Sequence, residues 1–335
     1  MKALVYTEPN RMQLQDRDAP DAAPGDVVVQ IDAVGICGSD LHAFHGHDPR
    51  RKPGLVLGHE FAGAVVDSAG DAWSVGQRVT GNPLITCGHC ANCMQGRDNL
   101  CSNRTMVGMT RPGAFAEQMA IPGRCLIAVP DTLDPVAAAL TEPAATALHA
   151  INLSARVMAR PIHEGRVLVM GGGAIGMLAA LLLRHLGADR LQVVEVNPLR
   201  RQSIETHARC GTLDPRHASP EDNSFELVID AVGSATTRTA ALAAVAPGGV
   251  VMHIGLQDWA SEIDMRKLTL AEITLLGTYT YTMADLRATV ALLERRAFGD
   301  LAWVERRPLS QGARAFDDLH HGRVASAKVV LEPAG

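Results

Sequence analysis

The sequence predicts an α/β protein in which an antiparallel β domain is joined to a doubly wound parallel sheet. Three observations predict it. Residues 26–33 alternate and are rich in valine, and strand-like runs at 63–66 and 78–80 follow between Gly, Pro and Asp, the texture of antiparallel strands and loops. From Arg166 the pattern changes to apolar strand, glycine turn, apolar helix and strand again, as in a parallel sheet covered by helices. A last strand-like run, 328–331, follows the parallel region and is placed to rejoin the first domain. The 335 residues exceed one ordinary core and suit roughly two domains. The expected division is 1–150 with 285–335 for the β domain and 151–284 for the parallel sheet.

Each further element has a local cause. Asp134-Pro135 pairs a helix cap with a proline suited to the first turn, and starts an alanine-rich helix running toward Ala150. Pro143 is expected to disrupt that helix. Strand 167–170, helix 175–186 and strand 191–195 follow in order, then apolar strands at 227–229, 250–254 and 273–276. Residues 284–296 read as a helix, and no internal repeat or low-complexity segment interrupts the chain.

Hydrophobic residues make up 47% and charged residues 20%, the balance of a soluble globular protein. A net charge of -5, with Arg50-Arg51-Lys52 and Arg306-Arg307 as isolated basic runs, argues against nucleic acid as a partner. The N-terminus lacks the apolar segment of a signal peptide, and the apolar run 174–183 stops at Arg184, too short to span a bilayer. A cytoplasmic protein without a membrane partner is expected.

Cys87, Cys90, Cys93 and Cys101 form a C-x2-C-x2-C-x7-C run. Four soft thiolates suit zinc and close its coordination, so this is a structural zinc loop, with a disulfide pair or an iron–sulfur cluster as the alternatives. Cys125 and Cys210 read as small buried apolar residues.

Gly171-Gly-Gly173-Ala174-Ile175-Gly176 follows an apolar strand and opens an apolar helix, the context that gives a G-x-G-x-x-G run its meaning. The glycines let the backbone approach a pyrophosphate at the helix N-terminus. Glu195 ends the next strand about twenty residues on, where a carboxylate accepts hydrogen bonds from ribose hydroxyls and repels a 2′-phosphate. NAD is the expected cofactor; Arg200 and Arg201, just beyond, keep NADP as the alternative.

Cys37-Gly-Ser39-Asp40-Leu-His42, Gly58-His59-Glu60 and Glu142-Pro143 offer a thiolate, imidazoles and carboxylates in three separate segments. A catalytic zinc needs about three protein ligands and one open position, which such a combination can supply. His45, His47 and Arg50-Arg51-Lys52 are read as a solvated loop, with contact to a polar substrate as the alternative. Phe115, in the segment after the cysteine loop, reads as core packing.

In this order and spacing, the four motifs resemble the zinc-dependent medium-chain dehydrogenases of the alcohol dehydrogenase superfamily over nearly the whole chain. Glu142-Pro143 is similar to the motif of the polyol (sorbitol-type) and threonine dehydrogenase branches. The resemblance implies a GroES-like β domain split around a Rossmann domain, two zinc ions per chain, and a homodimer or homotetramer. It implies Cys37 and His59 as constant catalytic-zinc ligands, Glu60 and Glu142 as exchangeable or water-mediated ones, and the four-cysteine loop as the structural site. Ser39 would contact the alcohol oxygen and pass its proton through the cofactor ribose to His42, while Asp40 orients His59. The implied reaction moves a hydride from a secondary alcohol, first a polyol or sugar alcohol, to the nicotinamide and leaves the ketone. A threonine-type amino-acid alcohol is the second substrate class, and a non-catalytic zinc- and NAD-binding redox sensor the alternative of another kind.

Overall fold

The strands expected in the first half of the chain gather into one mainly antiparallel sheet. The structure, a computed structural model, describes residues 1–70 and 72–333. Seven strands form this sheet: Val304–Pro308, Lys328–Glu332, Asp26–Gly35, Glu60–Ser68, Arg78–Gly81 and Leu126–Ala128 in spatial order, with Gln118–Pro122 also paired to Asp26–Gly35. Only Val304–Pro308 and Lys328–Glu332 run parallel, because the helix Gly312–His320 carries the chain across between them. The alternation of Asp26–Gly35 points Val27, Val29 and Ile31 into a core shared with Leu4, Phe61, Phe115 and Phe316. The run 328–331 therefore does rejoin the first sheet, against Val34 and Gly35.

The second sheet is wholly parallel, with the order Gly211–Leu213, Leu191–Val194, Val167–Met170, Phe225–Asp230, Val245–His253 and Thr274–Gly277. In chain order these strands read 3-2-1-4-5-6, so the direction of winding reverses beside Val167–Met170, where doubly wound sheets bind ligands at the strand ends. Val167–Met170 is buried throughout, as a strand covered on both faces must be. The helix Ala174–His185 returns across it and buries an unbroken run from Gly176 to Leu183.

An alanine-rich helix ties the two halves together. Asp134 caps Pro135–Ala139 by accepting the Val136 N–H at 2.9 Å, as its sequence predicts. The break then comes earlier than expected, at Leu140 rather than Pro143. Pro143 falls in the first turn of Thr141–Ala155, where its missing N–H costs nothing. Ala147, Leu148 and Ile151 of this helix share one core with Leu178 and Leu182 of the parallel-sheet layer and with Leu286 and Val290 of the helix Met283–Glu294. Among the described residues, no helix is long and apolar enough to cross a membrane.

Candidate active site

The cysteine loop is closed at its base by a short antiparallel ladder, Leu84–Ile85 with Thr105–Met106. Within it, Cys90 and Cys93 Sγ are 3.5 Å apart, Cys101 and Cys87 3.5 Å, and Cys87 and Cys93 4.0 Å. Four sulfurs on a tetrahedral zinc at about 2.3 Å sit roughly 3.8 Å from one another, so the donor set fits that ion. Backbone N–H groups of His89 and Cys90 pull the Cys87 thiol down to about 6, whereas burial and the neighbouring thiols push Cys93 up to about 12. Four thiolates at neutral pH thus need a cation among them.

The second donor set is built from three strand ends and one helix. Cys37 precedes the helix Gly38–Phe44, and its N–H donates to Asp40 Oδ2 at 3.1 Å, which fixes the thiol at the end of Asp26–Gly35. His59 and Glu60 open the adjacent strand. Gly58, with φ of +91°, turns the chain into it beneath the Phe115 ring, which is fully buried and packs edge-on against Phe316 at 5.7 Å. The ligand atoms of Cys37, His59 and Glu60 lie within 4.8 Å of one another. Asp40 Oδ1 faces His59 Nδ1 at 3.5 Å, and neither atom has another hydrogen-bond partner. Burial opposes a charged His59 ring, yet Asp40 and Cys37 on either side raise its pKa well above the ordinary value. A buried ring bracketed by a thiol and a carboxylate is what a metal-ligating imidazole with an orienting partner requires.

Glu142 and Glu60 are both buried, and each is held by a residue that sequence reading had not singled out. Glu142 Oε1 accepts the hydroxyl of buried Tyr281 at 2.6 Å, and burial together with the nearby Glu60 charge lifts its pKa to about 7. Glu142 stands outside the close trio, whereas Glu60 belongs to it. Glu60 receives Lys328 Nζ on both oxygens at 2.7 Å. Burial disfavours the Lys328 charge, but Glu60 and Cys37 outweigh it and raise its pKa. A lysine opening an otherwise apolar buried strand was the available signal.

Ser39 is half-buried two residues from Cys37, and its Oγ accepts Arg51 Nη2 at 3.3 Å. The reading of Arg50-Arg51-Lys52 as a solvated loop holds for the exposed Arg50 and Lys52 and is corrected for Arg51, which is 3% exposed, with its Nε on the Gly108 carbonyl at 3.0 Å and Nη1 on Asp48 at 2.6 Å. A carboxylate three residues earlier neutralises the side chain and lets it enter the interior. His42 is exposed, and desolvation together with His47 lowers its pKa, so the ring is neutral at pH 7 and able to accept a proton.

The glycine turn lies at the carboxyl end of Val167–Met170. Gly171 has φ of +94°, and a Cβ on Gly176 would collide with the Gly171 carbonyl, so both positions need glycine. Gly173 starts the helix without a side-chain cap, and Ala174 and Ile175 form its first turn, which leaves the N-terminal N–H groups for an anion. Glu195 stands just past Leu191–Val194; its Oε2 accepts the Gly172 N–H at 2.7 Å and its Oε1 meets Arg200 at 3.1 Å. Arg201 is turned away, bonded to the Glu195 and Val196 carbonyls and to Asp214. The cradle fits a dinucleotide.

Comparison with known proteins agrees with this geometry. The family model "Alcohol dehydrogenase GroES-like domain" matches residues 23–131, and "Glucose dehydrogenase C-terminus" matches 136–332. An L-threonine 3-dehydrogenase of Chelativorans sp. (strain BNC1) is 33% identical over 85% of each chain. The L-galactonate-5-dehydrogenase of Escherichia coli (strain K12) is 30% identical over 95% of this chain and 94% of its own. A zinc-binding dehydrogenase from Sinorhizobium meliloti 1021, solved with NADP, superposes with a TM-score of 0.89 at 30% identity over 99% of both chains. The acetophenone reductase of Geotrichum candidum, solved with NAD, gives a TM-score of 0.86 at 28% identity over 99% of this chain and 96% of its own. The chain belongs to the zinc-type medium-chain dehydrogenases of the alcohol dehydrogenase superfamily and is an NAD(P)-dependent dehydrogenase of that type.

Proposed function

We propose that the chain oxidises a secondary alcohol of a polyol or sugar alcohol to the ketone with NAD, and catalyses the reverse reduction. The observation that carries this is the convergence of the Cys37, His59 and Glu60 ligand atoms beside Ser39. Its likeness to an L-galactonate-5-dehydrogenase supports a polyhydroxy substrate. Its likeness to L-threonine 3-dehydrogenases favours the second reading, an amino-acid alcohol.

Cys37, His59 and Glu60 would hold one zinc, with Glu142 as an exchangeable ligand, and Cys87, Cys90, Cys93 and Cys101 a second. When bound, zinc supplies a Lewis acid for the alcohol oxygen and the nicotinamide supplies the hydride acceptor. The chain's own groups do the rest. Ser39 Oγ accepts the alcohol proton as its own hydroxyl proton passes on toward the cofactor ribose, while Arg51 donates to that oxygen from behind, so the hydroxyl hydrogen is directed away from the guanidinium. His42, neutral and exposed, is the outer acceptor from which the proton reaches water. Asp40 keeps the His59 ring oriented.

NAD is preferred over NADP because the Glu195 carboxylate occupies the ribose end of the cradle and engages Arg200. The reducing conditions that four close free thiols require support a cytoplasmic location. We place the domain junction at the packed helices Thr141–Ala155 and Met283–Glu294, near the divisions at 150 and 285. A homodimer or homotetramer is supported by the edge strand Thr274–Gly277 and the exposed Trp259, Met265 and Leu270 near it. A non-catalytic sensor would have no use for Ser39 held two residues from the metal ligand.

A panel of sugar alcohols, other secondary alcohols and L-threonine, followed by the absorbance of reduced nicotinamide, tests the activity. Oxidation of polyhydroxy compounds is expected. Zinc-loaded protein that binds NAD and turns over none of them would overturn the assignment in favour of the sensor.

A further inference from the structure

Five of the thirteen histidines form one row that starts at His42 and leads away from the candidate site. Ring centroids of His42 and His47 are 6.4 Å apart, His47 and His45 5.6 Å, His45 and His320 4.7 Å, and His320 and His321 4.6 Å. The middle pair is in direct contact. His45 Nε2 and His320 Nδ1 lie 2.8 Å apart, although 275 residues separate them in the chain. The carboxylate nearby, Asp317, is taken by His321 and Arg323. Burial and then the rings of His320, His47 and His42 lower the His45 pKa, so this ring keeps a free lone pair at neutral pH.

Packed helices hold both rings in place. His45 caps the C-terminus of Gly38–Phe44 with its N–H on the Leu41 carbonyl at 2.9 Å, and His320 closes Gly312–His320. Phe44 packs on Phe316 at 5.4 Å between the two helices and meets the His320 ring at 6.3 Å. Gly46, with φ of +76°, turns the chain so that exposed His47 returns beside His45. Two imidazole nitrogens on one tetrahedral zinc at about 2.0–2.1 Å sit roughly 3.3 Å apart, so the touching rings need to open by only about 0.5 Å. Half-buried His45 and exposed His320 have the room to do so. Donors that are all imidazole select zinc, copper or nickel over magnesium and calcium.

We propose that His45 and His320 form a third metal site, which takes a divalent transition ion such as zinc, with His47 and water completing the coordination. The ion fastens the helix that follows Cys37 to the helix 312–320. Its ligands are few and open to solvent, so the ion leaves on dialysis and purified protein keeps only the two zinc ions described above. The site is separate from both of those and independent of the substrate.

Calorimetric titration of zinc into dialysed, zinc-loaded protein tests it, with the double variant His45→Gln/His320→Gln alongside. Wild type should bind one more ion per chain than the double variant, a difference that does not depend on how many ions the other sites hold, and magnesium should give no such difference. Each single variant should weaken that ion at least about tenfold, while turnover without added zinc stays at the wild-type level. Added zinc should raise the melting temperature of wild type more than that of the double variant, because an ion held only by the folded state stabilises it by mass action. Equal zinc binding by wild type and double variant overturns the proposal, whether both bind a further ion elsewhere or neither binds one. Binding seen only at millimolar zinc and matched by magnesium would be an adventitious ion only, and overturns it too.

Discussion

Lys328 donates to both carboxylate oxygens of Glu60 at 2.7 Å, with both side chains buried. Gly35 explains how they meet. It pairs with Glu60 on one side and with Val330 on the other, and a Cβ on it would collide with Glu60 Oε2. The returning strand thus delivers a cation to a candidate metal ligand from 268 residues away. In zinc-free protein, replacing Lys328 with Met leaves a buried, unpaired carboxylate and should cost about 3–5 kcal/mol in denaturant unfolding. A loss below about 1 kcal/mol would show that Glu60 finds another partner.

The two metal sites should separate by mutation. Elemental analysis of purified protein should find about two zinc per chain, and Cys37→Ser should remove one while the fold persists. Cys93→Ser should lower soluble yield and thermal stability together, because metal binding in such a loop is folding free energy. One zinc per chain, still retained after Cys37→Ser, would remove the catalytic site.

Ser39→Ala should leave the melting temperature and both metals unchanged, since it gives up only a 3.3 Å contact with Arg51. Turnover should fall roughly a hundredfold through loss of the proton path. His42→Ala should lose less and recover in part at higher pH. Full activity of Ser39→Ala at neutral pH would confine the relay to conjecture and disprove the role of this hydroxyl.

Glu195 serves both the glycine turn and Arg200. Its replacement by Ala should raise the Kd for NAD roughly tenfold and narrow the preference over NADP, as measured by fluorescence titration of the two reduced cofactors. An unchanged preference would mean that another group reads the ribose.

The helix junction carries a pH signature. Burial tends to raise the Asp285 pKa, but His149 and the Thr282 donors outweigh it and hold it at about 2, against about 3.9 in an unfolded chain. Its contribution is therefore complete above about pH 4 and is lost as pH falls through about 2. Asp285→Asn should cost about 1–2 kcal/mol at pH 7, and the gap to wild type should close on acidification toward pH 2. An equal loss at both pH values would assign the effect to packing.

Features with short sequence span were legible. The four cysteines fold onto one another within a single loop, and the glycine turn joins consecutive elements, so residue spacing alone sets their geometry. That the second sheet is parallel also follows from the alternation of strands and helices, whereas its strand order and the short edge strand Gly211–Leu213 do not. The N-terminal hairpin Lys2–Glu8 with Arg11–Asp16 went unread, because its apolar run is short and its partner strand is mostly polar. The break at Leu140 was missed because a proline near a helix start is tolerated rather than disruptive.

The sequence by itself determined the fold class, the thiolate lobe, the dinucleotide turn and the residue types of the second donor set. Only the tertiary structure decided which groups hold that set. Lys328 reaches Glu60, Tyr281 reaches Glu142 from 139 residues away, and Arg51 turns inward to Ser39 rather than out to water. The physical reason is that a buried charge takes whichever partner the packed strands bring beside it, and that choice is made across sheets rather than along the chain.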